Sequence, residues 1–200
     1  MSVKVSPNAS VDSSANIGDG STIWGDAQVR GGVIIGHNCI IGNGVYIDTD
    51  VEIGNNCKIQ NMAQVYYPAK LANGVFLGPG AVLTNDQYPR AVNPDGTLKS
   101  ANDWIAVGVT INEGASIGAR AVCVAPLKIG AWALIAAGAV VNKNVPDFAL
   151  MVGVPAKRIG WVGRAGLPLE AISNGRLRCP ITGDTYIEVA SDRLIEEGNK

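Results

Sequence analysis

Aliphatic residues recur at every sixth position from Val5 to Leu83 without a break: Val5, Val11, Ile17, Ile23, Val29, Ile35, Ile41, Ile47, Ile53, Ile59, Val65, Leu71, Leu77 and Leu83. Two places before each stands a small or β-branched residue, from Val3 and Ala9 through Cys39, Val45 and Cys57 to Ala81. An exact period of six would put apolar side chains on every side of an α-helix, so no helix accounts for it. The pattern predicts an all-β fold, a parallel β-helix in which each hexad supplies one short strand and one corner. Three hexads then close a triangular coil of eighteen residues whose aliphatic positions fill the prism. Gly18, Gly36, Gly42 and Gly54, each directly after an aliphatic position, are the expected corner residues.

The period fails over residues 86–103, where Asp86, Pro89, Arg90, Asn93, Pro94, Asp95 and Gly96 spell a loop. It returns as Ile105, Ile111, Ile117, Cys123, Ile129, Ile135 and Val141, which implies an insertion of sixteen residues. A long loop on a rigid scaffold points to function. The second run ends near Pro146. Pro155 is expected to start a short helix from about Ala156 that caps the open coil, and residues 176–189 alternate about Thr182, Gly183 and Asp184 as a β-hairpin. The last ten residues read as a polar tail. The expected domains are therefore the β-helix over 1–154, carrying the loop 86–103, and an extension over 155–200.

Stacking at eighteen residues locates candidate chemistry. Arg30, Asp48, Tyr66 and Thr84 should line up on one corner, with Gly31, Thr49, Tyr67 and Asn85 beside them, and the loop leaves from that corner. Corners ordinarily carry Gly or small polar residues. A cation, a carboxylate, two phenols and an amide beneath a loop instead make a ledge for a small molecule. In the plainer alternative Tyr66 and Tyr67 only pack under the loop, and Arg30 pairs with Asp48.

Composition narrows the partners. The net charge of −1 leaves no electrostatic footprint for nucleic acid or an acidic membrane surface. The N-terminus has no charged-then-apolar signal stretch and the chain no apolar run of spanning length, so a cytoplasmic location is expected. Of the four cysteines, Cys39 and Cys57 should stack in adjacent coils, close enough to bond but expected as reduced core residues, as is Cys123. Cys179 has no partner at metal-ligand spacing, and no metal site is expected. The single histidine, His37, sits in a turn between Gly36 and Asn38. One histidine cannot supply the three zinc ligands of a γ-class carbonic anhydrase.

The segments KIQN at 58–61, GP and TN at 78–85, YPRA at 88–91, GASIGARAV at 114–122, VPDFALMVGVPAKRIGW at 145–161 and CPITGDTY at 179–186 resemble the sugar N-acetyltransferases of the left-handed β-helix superfamily. The likeness is greatest to enzymes that acetylate a 3-amino group on a nucleotide-linked sugar for O-antigen or other surface polysaccharide. It implies a homotrimer, for which the apolar flank of the β-helix also argues, with acetyl-CoA in the groove between neighbouring β-helices. It further implies Asn85 as the catalytic residue holding the acceptor near the thioester; on that footing the stacked corner residues Arg30, Asp48, Tyr66, Tyr67 and Thr84, with Arg90 of the loop, are the expected contacts to the nucleotide-linked amino sugar. Ala137, Gly138 and Val154 would meet coenzyme A, and Lys157 and Arg158 its phosphates. Such enzymes are thought to work without a side-chain base. The chain departs from these relatives at Arg120, Ala131, Trp132 and Val154. Two other readings are a non-catalytic trimer serving as a binding or scaffold module, and acyl transfer to another small amine.

Overall fold

A computed structural model of the chain describes residues 2–197. Most hexads form a two-residue strand that ends on the aliphatic residue, as in Ile40–Ile41, Tyr46–Ile47 and Glu52–Ile53, and two form three-residue strands, Val109–Ile111 and Leu127–Ile129. Successive strands fall on three different faces, and each pairs in parallel with the strand one coil later: Lys58 with Phe76, Gln64 with Val82, Glu52 with Lys70. The three faces are sheets of nine, seven and six strands. Backbone groups are satisfied between coils, for example Lys58 N–H donating to the Val75 carbonyl at 2.9 Å and Gln60 N–H to that of Leu77 at 2.8 Å.

The prism is filled as the six-residue period requires. Ile41, Ile47, Ile59, Leu77 and Leu83 are fully buried, and so are the small residues at the turns, Ala27, Val33, Cys39, Cys57 and Ala81. Glycine is needed directly after an aliphatic position because the corner backbones of adjacent coils touch there. A Cβ added at Gly36 would lie 2.7 Å from the Gly54 carbonyl carbon. At its N-terminal end the prism is open, and Val5 is exposed. All four cysteines are free and buried. Cys39 and Cys57 stack as expected, and burial pushes the Cys123 thiol up to about 12.

Four expectations change. Lys70 pairs with Thr110 and Leu71 with Ile111, forty residues on instead of eighteen, so the insertion is twenty-two residues long, not sixteen. Ile105 keeps the sequence period by coincidence; it is 85% exposed and belongs to the loop. The loop is itself ordered: Val92 and Leu98 form an antiparallel bridge, and Ser100 and Asp103 make a reciprocal cap around Ala101–Asp103. No helix starts at Ala156. Lys157–Trp161 is a strand, antiparallel to Ala149–Val152 across a turn in which Gly153 takes φ +99°. Ala149–Val152 already continues the first face, with Leu150 beside Leu134, and supplies the edge on which the returning chain pairs.

The predicted hairpin forms between Arg176–Arg178 and Thr185–Ala190, but within a four-stranded antiparallel sheet. The expected polar tail is largely its last strand, Arg193–Glu196, with Leu194 buried and Glu196 and Glu197 paired to Arg164 and Arg176 at 2.7 and 2.8 Å. The tail's last three positions lie outside the described residues. This sheet caps the coil: Tyr186 is fully buried, its ring 5.5 Å from that of Phe148 and nearly edge-on.

Inward and outward residues of one strand should differ sharply in energetic weight. Ile59→Ala is expected to cost about 2–5 kcal/mol, whereas its neighbour Lys58→Ala, on the outer surface, should stay within about 0.5 kcal/mol. Denaturant unfolding of both variants checks this, and similar losses for the two would contradict the prism packing.

Candidate active site

The corner between the second and third faces carries the predicted column. Arg30, Asp48 and Thr84 follow the strands Gln28–Val29, Tyr46–Ile47 and Val82–Leu83, and Arg30 and Asp48 each donate a backbone N–H one coil onward, to Ile47 at 3.0 Å and Val65 at 2.9 Å. Neighbouring coils sit roughly 4.8 Å apart. Arg30 is exposed; Asp48, Tyr66, Thr84 and Asn85 are half-buried. Among the described residues Arg30 makes no ion pair with Asp48, so the plainer alternative for that pair does not hold.

The Asp48 carboxylate is held from three directions. Its Oδ1 accepts the Thr49 N–H at 2.8 Å and the Tyr46 hydroxyl at 3.1 Å, and its Oδ2 accepts the Tyr67 N–H at 3.3 Å. Tyr46 also faces Tyr66, with ring centroids 5.5 Å apart at 49°, while the Tyr66 hydroxyl donates to Gln64 Oε1 at 2.7 Å. Burial, and next the Asp48 charge, raise the Tyr46 phenol above its ordinary value, so it remains a donor at neutral pH. Tyr46 was not among the residues expected from the sequence. It lies on the strand rather than the corner, and its only sequence signal is the two-residue spacing to Asp48 that puts both side chains on one side of an extended strand.

Above this ledge the loop is fastened at its neck, where the Val107 N–H donates to the Asn85 carbonyl at 3.1 Å. Thr84 Oγ1 accepts the Ala125 N–H at 2.9 Å from the next coil. Arg90 is not drawn to Asp48 or Tyr66. It lines a cleft of about 440 Å³ made wholly of loop residues, among them Asp86, Lys99 and Trp104.

The residues expected at coenzyme A gather on another corner. Ala137 and Gly138 are exposed between Leu134–Ile135 and Val140–Val141. The turn holding Val154 docks beside them through Val140 N–H to the Gly153 carbonyl, 3.1 Å, and Ala156 N–H to the Val140 carbonyl, 2.8 Å. Gly138 takes φ +71° and has open space where a side chain would be. Lys157 is exposed. Arg158 is engaged elsewhere, its guanidinium 3.9 Å above the Trp161 ring, 3.7 Å from Glu188 and hydrogen-bonded to the Ser191 carbonyl. Two of the departures, Arg120 and Trp132, occupy left-handed corner positions, φ +56° and +58°, where Asn or Gly would be unstrained. His37 is exposed on a third corner, its backbone N–H donating to Asn55 Oδ1 at 2.8 Å. Among the described residues no three His, Cys, Asp or Glu side chains come close enough to hold a metal ion.

Comparison with known proteins agrees with this architecture. A family model described as bacterial transferase hexapeptide (six repeats) matches residues 14–49 and 50–85, and one described as hexapeptide repeat of succinyl-transferase matches 108–143. Among curated proteins, the dTDP-3-amino-3,6-dideoxy-alpha-D-galactopyranose 3-N-acetyltransferase of Aneurinibacillus thermoaerophilus is 44% identical over 64 residues, which cover 32% of this chain and 33% of that one. A serine acetyltransferase of Buchnera aphidicola subsp. Acyrthosiphon pisum is 37% identical over 92 residues, 46% of this chain and 33% of that one. The chain thus matches about a third of the length of either relative. Among solved structures, the UDP-N-acetylglucosamine acyltransferase LpxA of Bacteroides fragilis superposes with a TM-score of 0.65 at 20% identity, over 80% of this chain and 61% of that one. A hexapeptide-repeat acetyltransferase of Vibrio cholerae O1 biovar eltor, complexed with acetyl coenzyme A, gives 0.54 at 22% identity, over 66% and 72%. At these identities the two structures speak to the fold. With the two repeat models together matching more than half of its residues, and every matched hexad forming a strand and corner of the coil, the chain belongs to the hexapeptide-repeat family of bacterial transferases.

Proposed function

We propose that this protein is an acetyl-CoA-dependent N-acetyltransferase whose acceptor is the amine of a nucleotide-linked amino sugar. The observation that carries the reading is the ledge of Asp48, Tyr66, Tyr67, Thr84 and Asn85 beneath a loop fastened at Asn85. The 44% identity to an amino-sugar N-acetyltransferase supports it, while the serine acetyltransferase match leaves the acceptor to be argued from this chain's own residues.

Those residues favour an amine. A hydroxyl needs a base to become nucleophilic at neutral pH, and the one histidine lies on a different corner from Asn85. A neutral amine carries its own lone pair. It forms the new C–N bond at the thioester carbonyl, the C–S bond breaks, and the departing thiolate takes the proton that nitrogen loses. What the protein supplies is orientation, with Asn85 and the ledge holding the acceptor and the Ala137, Gly138 and Val154 corner meeting pantetheine. Lys157 is the exposed cation for the phosphates there; Arg158 would have to leave Glu188 and Ser191 to join it. A homotrimer in the cytoplasm, and a place in lipopolysaccharide or O-antigen assembly, complete the proposal.

Calorimetric titration with acetyl-CoA tests the class: micromolar binding at one site per chain is expected, and no binding at millimolar ligand would favour the scaffold reading. Asn85→Ala should lower turnover more than about tenfold with coenzyme A affinity unchanged; undiminished turnover would remove Asn85 from the site. His37→Ala should leave turnover within about threefold of the parent. A loss beyond about a hundredfold, the scale of a lost general base, would refute base-free transfer.

A further inference from the structure

Tyr46 and Asp48 belong to the ledge but lie well away from the reacting centre that the proposed function puts at Asn85. The Asn85 corner stands two coils beyond that of Asp48, about 10 Å at roughly 4.8 Å a coil. The amine under attack therefore cannot be what Asp48 holds. A nucleotide-linked sugar laid along the ridge with its amine at Asn85 reaches Asp48 with the pentose of its nucleotide, on the far side of a bent diphosphate.

The chemistry at Asp48 suits that part of the ligand. Tyr46 and Thr49 both donate to Oδ1, whereas among the described residues Oδ2 has only the long 3.3 Å contact with the Tyr67 N–H, so acceptor capacity remains on Oδ2. A carboxylate fixed in this way accepts hydroxyl hydrogens with charge-assisted strength. The same pairing of an acidic side chain with a ribose 2′-hydroxyl reads dinucleotides on unrelated folds. Next to it, the tilted Tyr46 and Tyr66 rings form an apolar wall, and one to two coils below lies a polar pocket of about 310 Å³ lined by Gln28 and Arg30 of the nearer coil and Ser10 and Asp12 of the farther. Its exposed guanidinium and side-chain amide can meet the carbonyl oxygens and ring N–H of a nucleobase.

We propose that Asp48, held in place by the Tyr46 hydroxyl, accepts the 2′-hydroxyl of the acceptor's nucleotide, with the base in the Arg30 pocket, so that the site selects a ribonucleotide carrier over its deoxy counterpart. Asp48 touches the ligand; Tyr46 is a positioning residue that acts through it. This deepens the proposed acceptor reading and rests on it for the position of the amine, yet it is testable by binding alone, without acetyl transfer.

The probes are uridine diphosphate and 2′-deoxyuridine diphosphate, which differ by one hydroxyl, titrated against the full chain and variants whose folding is verified by thermal melting. The parent should bind the ribonucleotide about tenfold more tightly. Asp48→Asn should bring the ratio close to one. Tyr46→Phe, which keeps the ring against Tyr66 and removes only the hydroxyl, should lower it to about threefold. A merely structural role for either residue would weaken both ligands alike and leave the ratio unchanged. Equal affinity in the parent, no binding of either probe, or a ratio that survives both substitutions would overturn the inference. Acetyl transfer to an amino sugar alongside any of these results would leave the acetyltransferase reading standing, and discrimination between the probes without any acetyl transfer would remove that reading alone.

Discussion

The structure depends on in-register stacking of eighteen-residue coils. Two-residue strands hold almost nothing locally; what fixes them is that each backbone N–H and C=O on a face finds its partner one coil away, and that the inward aliphatic residue meets its equivalent above and below. Corners of adjacent coils then have to superpose, and this makes a tight column of the turn positions. Gly36 against Gly54 shows how little room is left. The stacking that buries Ile47 also brings Asp48 and Thr84 onto one ridge.

The coil was therefore legible from residue types alone, because an exact period of six excludes a helix and returns the same inward position on every face, and eighteen-residue arithmetic placed the corner residues correctly. It misled where the period was fortuitous. Ile105 stands six before Ile111 and is aliphatic, yet the chain is still in its loop there, since only Ile111 finds Leu71 to pair with. At the C-terminal end, Pro155 suits a helix start as well as a turn, and what decided between them was non-local: Ala149–Val152 offered an open edge to Lys157–Trp161. The charged end of the chain read as a tail because only Leu194 and Ile195 interrupt its polar residues, Leu194 alone of the two being buried, and the carboxylates of Glu196 and Glu197 meet arginines more than twenty positions away.

The site was legible as a column and illegible as a network. Counting by eighteen finds residues that share a corner but says nothing of side chains that lean from strand to corner, which is how Tyr46 reaches Asp48. Nor does it reveal competition for a side chain. Arg158, expected from the resemblance at the coenzyme A phosphates, is held by Trp161, Glu188 and Ser191 because the C-terminal sheet folds back over it.

Beyond the loop the coil resumes in the register it left, with Val82 beside Val122 and Leu83 beside Cys123, so the excursion transmits no offset to the scaffold. A single neck, closed at Asn85 and Val107, separates a segment free to change in length and sequence from a ridge that cannot. Evolution can exchange such a segment as a cassette, altering what is admitted to the ledge while the geometry of the ledge is inherited unchanged. Substitution along the ridge is confined to outward side chains that the prism never feels.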